Sequence, residues 1–345
     1  MKLYKKILIG IILILLVFVG RLLINAGVFT KINPHFKGKI TEIPSFEGGE
    51  DITIDQETGQ AFVSSNDFSN KDSKKGAIFI LNLNDSIPKP INISGNLPFD
   101  FHPHGISLYK ANNGHKSLFV VNHRNDGQFI EIFNWNDSSL VHKESISNPL
   151  IISPNDLVAV GEKAFYVTND HDEPLSNWRS KKDLMQIPMG NVVYFDGKNT
   201  KIVADGFLYA NGINKSIDGK TIFVAAVSGG KIFVFDRNDN TGTLTKTDEI
   251  PIHGADNLEV DIEGNIWAGC HVNLLAFLSH SKDQTKLSPS EIVKIKYSGK
   301  GNYTNESIYQ NNGKPVSGSS VGAIYKNKLL IGTVFEDKVL LGVME

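Results

Sequence analysis

Cysteine is almost missing from this chain: Cys270 stands alone among 345 residues. One thiol cannot form an intramolecular disulfide, so a disulfide-stapled scaffold is excluded. Neither sign of charge is in excess. Lys plus Arg total 35 against 37 for Asp plus Glu, which leaves no electrostatic footprint for nucleic acid, and nucleic acid is not expected as a partner. Long apolar runs are missing from the body of the chain, and so, almost everywhere, is the periodicity of amphipathic helices. The apolar share is nonetheless 41%, enough for a sizeable core, and it excludes disorder and collagen-like structure.

The first 30 residues are the exception. Lys2, Lys5 and Lys6 precede an apolar run from Ile7 to Gly20, then come Arg21 and a second apolar stretch, Leu22 to Phe29. A terminal apolar run led by lysines reads as an export signal or an anchor. The run itself has the length of a signal-peptide core and falls short of the roughly 20 residues of a full span. Its flanks lack a small-x-small cleavage site, however, and Leu22 to Phe29 lengthens it if Arg21 snorkels to the interface. The expectation is an uncleaved anchor in residues 1–30, touching a membrane, and an extracytoplasmic domain in residues 31–345. With the four cations of the anchor set aside, 31 basic residues face 37 acidic ones. An exported, mildly acidic domain without disulfides must rely on its core, on bound metal, or on both.

The body consists of short runs rich in Val, Ile, Phe and Tyr, broken by Gly, Asn and Asp, which makes it all-β. One unit recurs: a polar residue or pair, a strand, a hairpin turn and a second apolar strand. The heads are Glu50-Asp51, His104, Asn155-Asp156, Asn211, Asp256-Asn257 and Ser320. Further strands follow most copies, among them AIFILNL, FIEIFNW, NVVYFDG, KIFVFDR, LLAFL and KVLLGVM. About four strands per unit at this period is the pattern of propeller blades, so six units predict a six-bladed β-propeller behind an N-terminal apolar anchor helix.

In a propeller the entries to the innermost strands converge on the channel mouth. The polar heads thereby become neighbours, joined by His123, Asn169, Asp170 and His271 from the ends of second strands. Any one Asn or Asp here reads equally as a turn residue, but turn duty does not require a polar head in all six units. Oxygen ligands of this kind suit calcium, which takes six to eight oxygens from carboxylates, amides, carbonyls and water, whereas structural zinc prefers four N or S ligands.

The strings GGEDITI, FHPHGISLY, FVVNH, NDLVAVGEKAFYVTNDH, ANGINKSIDGK, ADNLEVD, GCH and IYKNKLLIGTVF resemble, in order, those of the serum paraoxonase and arylesterase family. The resemblance runs from about residue 40 to the C-terminus. It implies a six-bladed propeller with two calcium ions, one catalytic and one structural, that hydrolyses lactones, aryl esters and in some members phosphotriesters. Matched by motif, the catalytic calcium falls to Glu50, Asn169, Asn211, Asp256 and Asn257. The deeper calcium falls to Asp51, Asp170 and the backbone carbonyl of Ile106. The histidine pair proposed to activate water in the family corresponds to His104 and His123.

The implied chemistry is attack by water on an ester or lactone carbonyl polarised by the metal, without a serine nucleophile. His104 would act as general base and His123 would orient it; the alternative for the pair is a hydrogen-bonded channel role, with another group as base. His102 reads as a surface histidine, His271 as a pocket wall and Cys270 as an apolar filler. Trp178, Met185 and Met189, in residues 171–190, read as an apolar wall for the substrate or as plain surface loop. One departure from the family pattern concerns closure. Animal members join their terminal strands by a disulfide, and here closure is expected from pairing of Lys39–Ile43 beside Val339–Met344. Two other functions stay open at this point: a calcium-stiffened propeller that only binds a partner, and a gluconolactonase-type or strictosidine-synthase-like enzyme. Those propellers are not expected to share the HPHG and VVNH motifs.

Overall fold

A computed structural model describes residues 3–68, 76–174, 176 and 178–345. Six antiparallel sheets follow one another round a channel, and the innermost strand of each begins at one of the polar heads. These inner strands are Gly49–Asp55, Pro103–Lys110, Pro154–Ala159, Ala210–Lys215, Ala255–Val260 and Ser319–Tyr325, and they define blades 1 to 6 in chain order. Blades 1 to 4 are simple four-stranded meanders. Blade 5 adds the short strand His35–Phe36 on its outer edge.

Blade 6 closes the ring. Its outermost strand, Gly38–Pro44, comes from the N-terminal side and pairs antiparallel with Lys338–Met344, Lys39 opposite Val343 and Ile43 opposite Val339. The expected closure by strand pairing is present. Ile43, Val339 and Leu341 are each about fully buried in the apolar cluster between blades 6 and 1. Described residues form six such clusters, one at each junction between neighbouring blades, so the core is a ring of interblade seams.

The ladder between the first and second strands is broken at the same place in all six blades, beside the polar head. A bulge here leaves the head residue out of the regular pleat and re-aims its side chain. The same irregularity therefore repeats wherever the sequence repeats its polar head.

Among the described residues there are three helices. Leu3–Asn25 is apolar enough to cross a membrane and none of it is buried, which fits a signal or anchor. Its C-terminal end is tied to the propeller: Leu274 N–H donates to the carbonyl of Ala26, just past the helix, at 2.9 Å, and Asn25 Nδ2 donates to Gln186 Oε1 at 3.1 Å. Arg179–Leu184 lies in the segment expected to wall the pocket. Leu274–Lys282 overturns one expectation, because LLAFL forms the start of a helix and not a strand. Asn273 caps it, its side chain accepting from Ala276 N at 3.0 Å, and this cap starts a helical turn where apolar content alone suggested a strand.

Candidate metal and active site

Two layers of polar groups occupy the channel at the inner-strand heads. In the upper layer Glu50 is buried, and its Oε1 accepts from Asn257 Nδ2 at 2.7 Å across the ring. The Ser320 hydroxyl donates to Glu50 O at 2.5 Å. Asp256 Oδ2 stands 2.9 Å from His271 Nε2. Burial holds the Asp256 carboxyl above its usual range although His271 opposes this.

Four oxygens of this layer are buried and have no hydrogen-bond donor: Glu50 Oε2, Asn155 Oδ1, Asn211 Oδ1 and Asn257 Oδ1. They come from blades 1, 3, 4 and 5. A buried acceptor left unpaired costs about 1–3 kcal/mol, so four on one channel call for a shared partner that accepts oxygen lone pairs. A hard cation is such a partner. Among the described residues no group of three or more His, Cys, Asp or Glu is arranged to hold a metal ion. The donor set is amide-rich, which suits calcium and not zinc.

The lower layer has two facing carboxylates. Asp51 accepts from Ile106 N at 2.7 Å and Ile52 N at 2.8 Å. Asp156 accepts from Ile213 N and Leu157 N, both at 2.7 Å. Burial, reinforced by the charge of Glu50, pushes the Asp51 carboxyl up to about 8. Burial and the charge of Asp51 push Asp156 well up. Two such groups destabilise each other unless a proton or a cation joins them. This layer also fits a hard cation.

Two glycines of the motifs owe their place to this crowding. A Cβ on Gly105 would lie 2.4 Å from Asp156 Cα, and one on Gly212 would lie 2.3 Å from Asp256 O. Only hydrogen fits where neighbouring inner strands come this close. Gly212→Ala should displace the Asp256-Asn257 bulge and weaken calcium binding by about tenfold or more, measured by chelator competition. Unchanged affinity would show that the bulge is not held by this contact.

The histidines are arranged in a relay. His123 Nδ1 lies 2.5 Å from Gln128 Oε1, so that nitrogen carries the proton. Its Nε2 is then an acceptor and takes the Nδ1–H of His104 at 2.9 Å. This leaves His104 Nε2 as the nitrogen facing the channel, 3.5 Å from Glu50 Oε1. Burial opposes charge on His104, but the Glu50 carboxylate outweighs it and raises the imidazole above its usual value. His123 goes the other way, lowered to about 4 by burial and by His104, so it stays neutral. Phe68 covers His104 with ring centroids 5.1 Å apart.

Asn169 has every polar atom engaged: Oδ1 accepts from Ile152 N and Ser153 N, both at 3.0 Å, and Nδ2 donates to Leu150 O at 2.8 Å and Asn191 Oδ1 at 2.9 Å. Asp170 is bound by Ser153, by His171 at 2.9 Å and, more loosely, by Arg179 at 3.8 Å. The His171 contact keeps its carboxyl low against the effect of burial. His102 is half-buried, its Nδ1 3.1 Å from Asn66 Oδ1, and so is not a free surface residue. Cys270 is fully buried and burial raises its thiol, as a filler requires. Of the apolar wall, Met189 is buried whereas Trp178 and Met185 are exposed.

Sequence reasoning placed Asn155 and Asp156 among the polar heads at the channel but left both out of the motif-matched metal set, and it did not foresee the pairing of His271 with Asp256. The signal for the first two was present, since both belong to the six polar heads. His271 is stacked on Phe277 with ring centroids 3.7 Å apart, a contact with no local signature.

The family model described as Arylesterase matches residues 50–341. The chain is 38% identical to serum paraoxonase/arylesterase 2 of Gallus gallus over 84% of each chain. It is 34% identical to serum paraoxonase/lactonase 3 of Homo sapiens, again over 84% of each. A solved luciferin-regenerating enzyme superposes with a TM-score of 0.56 at 14% identity, covering 89% of this chain and 99% of its own, which speaks to the fold alone. With the match spanning every blade and both polar layers, the chain belongs to the arylesterase family.

Proposed function

We propose that this protein is a calcium-dependent hydrolase of lactones and aryl esters working at the Glu50 mouth of the channel. The observation that carries the reading is the set of four buried, donorless oxygens beside the channel-facing nitrogen of His104. Names of the relatives, arylesterase and lactonase, supply the substrate class.

Glu50, Asn155, Asn211, Asp256 and Asn257 would hold the catalytic ion. Asn155 replaces Asn169 in this set because its amide oxygen is free, whereas that of Asn169 is spent on two backbone N–H groups. Asp51, Asp156 and the carbonyl of Ile106 would hold a second, structural ion, with Asp156 taking the place of the ion-paired Asp170. Calcium, when bound, supplies polarisation of the carbonyl and charge stabilisation of the oxyanion.

The protein's own residues do the rest. His104 Nε2 takes a proton from the attacking water and returns it to the leaving oxygen. His123 keeps Nδ1 of His104 protonated, and Gln128 keeps His123 in the tautomer this requires. Phe68 shields the base from bulk water. Residues 1–30 would tether the domain on the outer side of a membrane as an uncleaved anchor.

The direct test is hydrolysis of phenyl acetate and a lactone series by the purified protein. His104→Gln is expected to lower lactone turnover by about tenfold or more while calcium affinity stays the same. A smaller loss would return the histidine pair to a supporting role.

A further inference from the structure

At the opposite end of the channel the inner strands line an open pocket of about 280 Å³. It has no part in the two layers described above. One residue beyond Ile52, Ile106, Ile213 and Leu258 come Thr53, Ser107, Asn214 and Glu259, and all four line this cavity. Lys215 reaches in from blade 4 and donates from Nζ to Ala159 O of blade 3 at 2.8 Å.

The charges at the rim and those inside are treated differently. Two rim lysines are neutralised by direct contact, Lys110 by Glu57 and Lys116 by Asp55. Inside, Lys215 and Glu259 form no ion pair with each other, and among the described residues neither has an opposite charge within 4.0 Å. Glu259 is held by the Asn214 amide at 3.3 Å, and burial raises its carboxyl well above the usual range. Each charge is therefore anchored from behind, with bonding capacity to spare: an ammonium has three donors and a carboxylate about four acceptor positions. Opposite charges withdrawn from water repay their desolvation only in close, well-formed contact. Here the two line one pocket without closing to within 4.0 Å of each other.

We propose that this cavity binds a short amino carboxylate, a zwitterion whose carboxylate meets Lys215 Nζ and whose ammonium meets Glu259. An anion alone, or an amine alone, satisfies one of the two groups and leaves the other without a counter-charge. The volume suits a molecule of amino-acid size. Burial, which pulls the Lys215 ammonium down to about 8 despite the nearby Glu259, is a cost that an arriving carboxylate would offset. The site is separate from the ester-hydrolysing mouth and does not rest on that activity.

The test uses the full chain in detergent micelles with calcium present, and calorimetry with glycine and 4-aminobutyrate against acetate and ethylammonium. At least one zwitterion is expected to bind about tenfold or more tightly than either half-ligand. Lys215→Met and Glu259→Gln should each weaken that binding by about tenfold, while phenyl acetate turnover of Lys215→Met matches the parent. Equal binding of acetate and the zwitterions, no binding of any of the four, or binding retained in Lys215→Met would overturn the proposal. The comparison of the four probes on the unaltered protein decides the matter even if a variant fails to fold.

Discussion

Exhaustive chelation of calcium is expected to abolish ester hydrolysis and to lower the unfolding midpoint by about 10 °C or more. The expectation follows from what the channel is without a cation. Four buried oxygens have no donor, and two buried aspartates face each other with their carboxyls pushed up. Each of these features opposes the folded state, and a ligand bound at about a hundredfold its dissociation constant stabilises by about 2.7 kcal/mol per ion. The channel also lies where all six interblade seams meet, and the ring is closed by strand pairing rather than a covalent bond. Destabilisation at the hub therefore weakens the whole ring. Calorimetry and phenyl acetate turnover, with chelator and then with calcium restored, check both effects. Turnover that survives complete chelation in a folded protein would remove calcium from the mechanism.

The propeller was legible because six units repeat one pattern, and the repeat survives loss of identity at any one position. The helix at Leu274–Lys282 was not, because LLAFL is too short for a period to be counted and its start is set by a single capping residue, Asn273. The type of ligand was also legible, since amide and carboxylate heads in register suit no other common use. Which Asn-Asp pair of blade 3 turns its side chains into the channel was not. Asn155-Asp156 heads the first strand, and Asn169-Asp170 ends the second, where Asn169 lies opposite Pro154 in the ladder. The two pairs are identical in chemistry and adjacent in space. Only the bulge between Pro154 and Leu157 distinguishes them, because it turns one pair into the channel while the other remains in regular pairing. No composition or spacing encodes that difference.

Substitution of these two asparagines gives the sharpest separation of ligand from scaffold. Asn155→Ala is expected to raise the calcium dissociation constant about a hundredfold and to reduce turnover in proportion at limiting calcium, with little change in stability of the calcium-free protein. The reason is that Asn155 Oδ1 has no donor to lose. Removing an unpaired buried acceptor relieves a desolvation cost, so the calcium-free form should be as stable as the parent or slightly more so. Asn169→Ala has the opposite signature. It breaks four hydrogen bonds, to Ile152, Ser153, Leu150 and Asn191, and strands two half-buried backbone N–H groups, which costs about 2–4 kcal/mol. Calcium affinity of the folded variant should remain within about threefold of the parent, because only the scaffold behind Asn155 is loosened. Chelator competition and denaturant unfolding of the two variants, each with and without calcium, resolve the pattern. If Asn169→Ala loses calcium while Asn155→Ala keeps it, the ligand belongs to the second strand, and the donorless oxygen of Asn155 requires another partner.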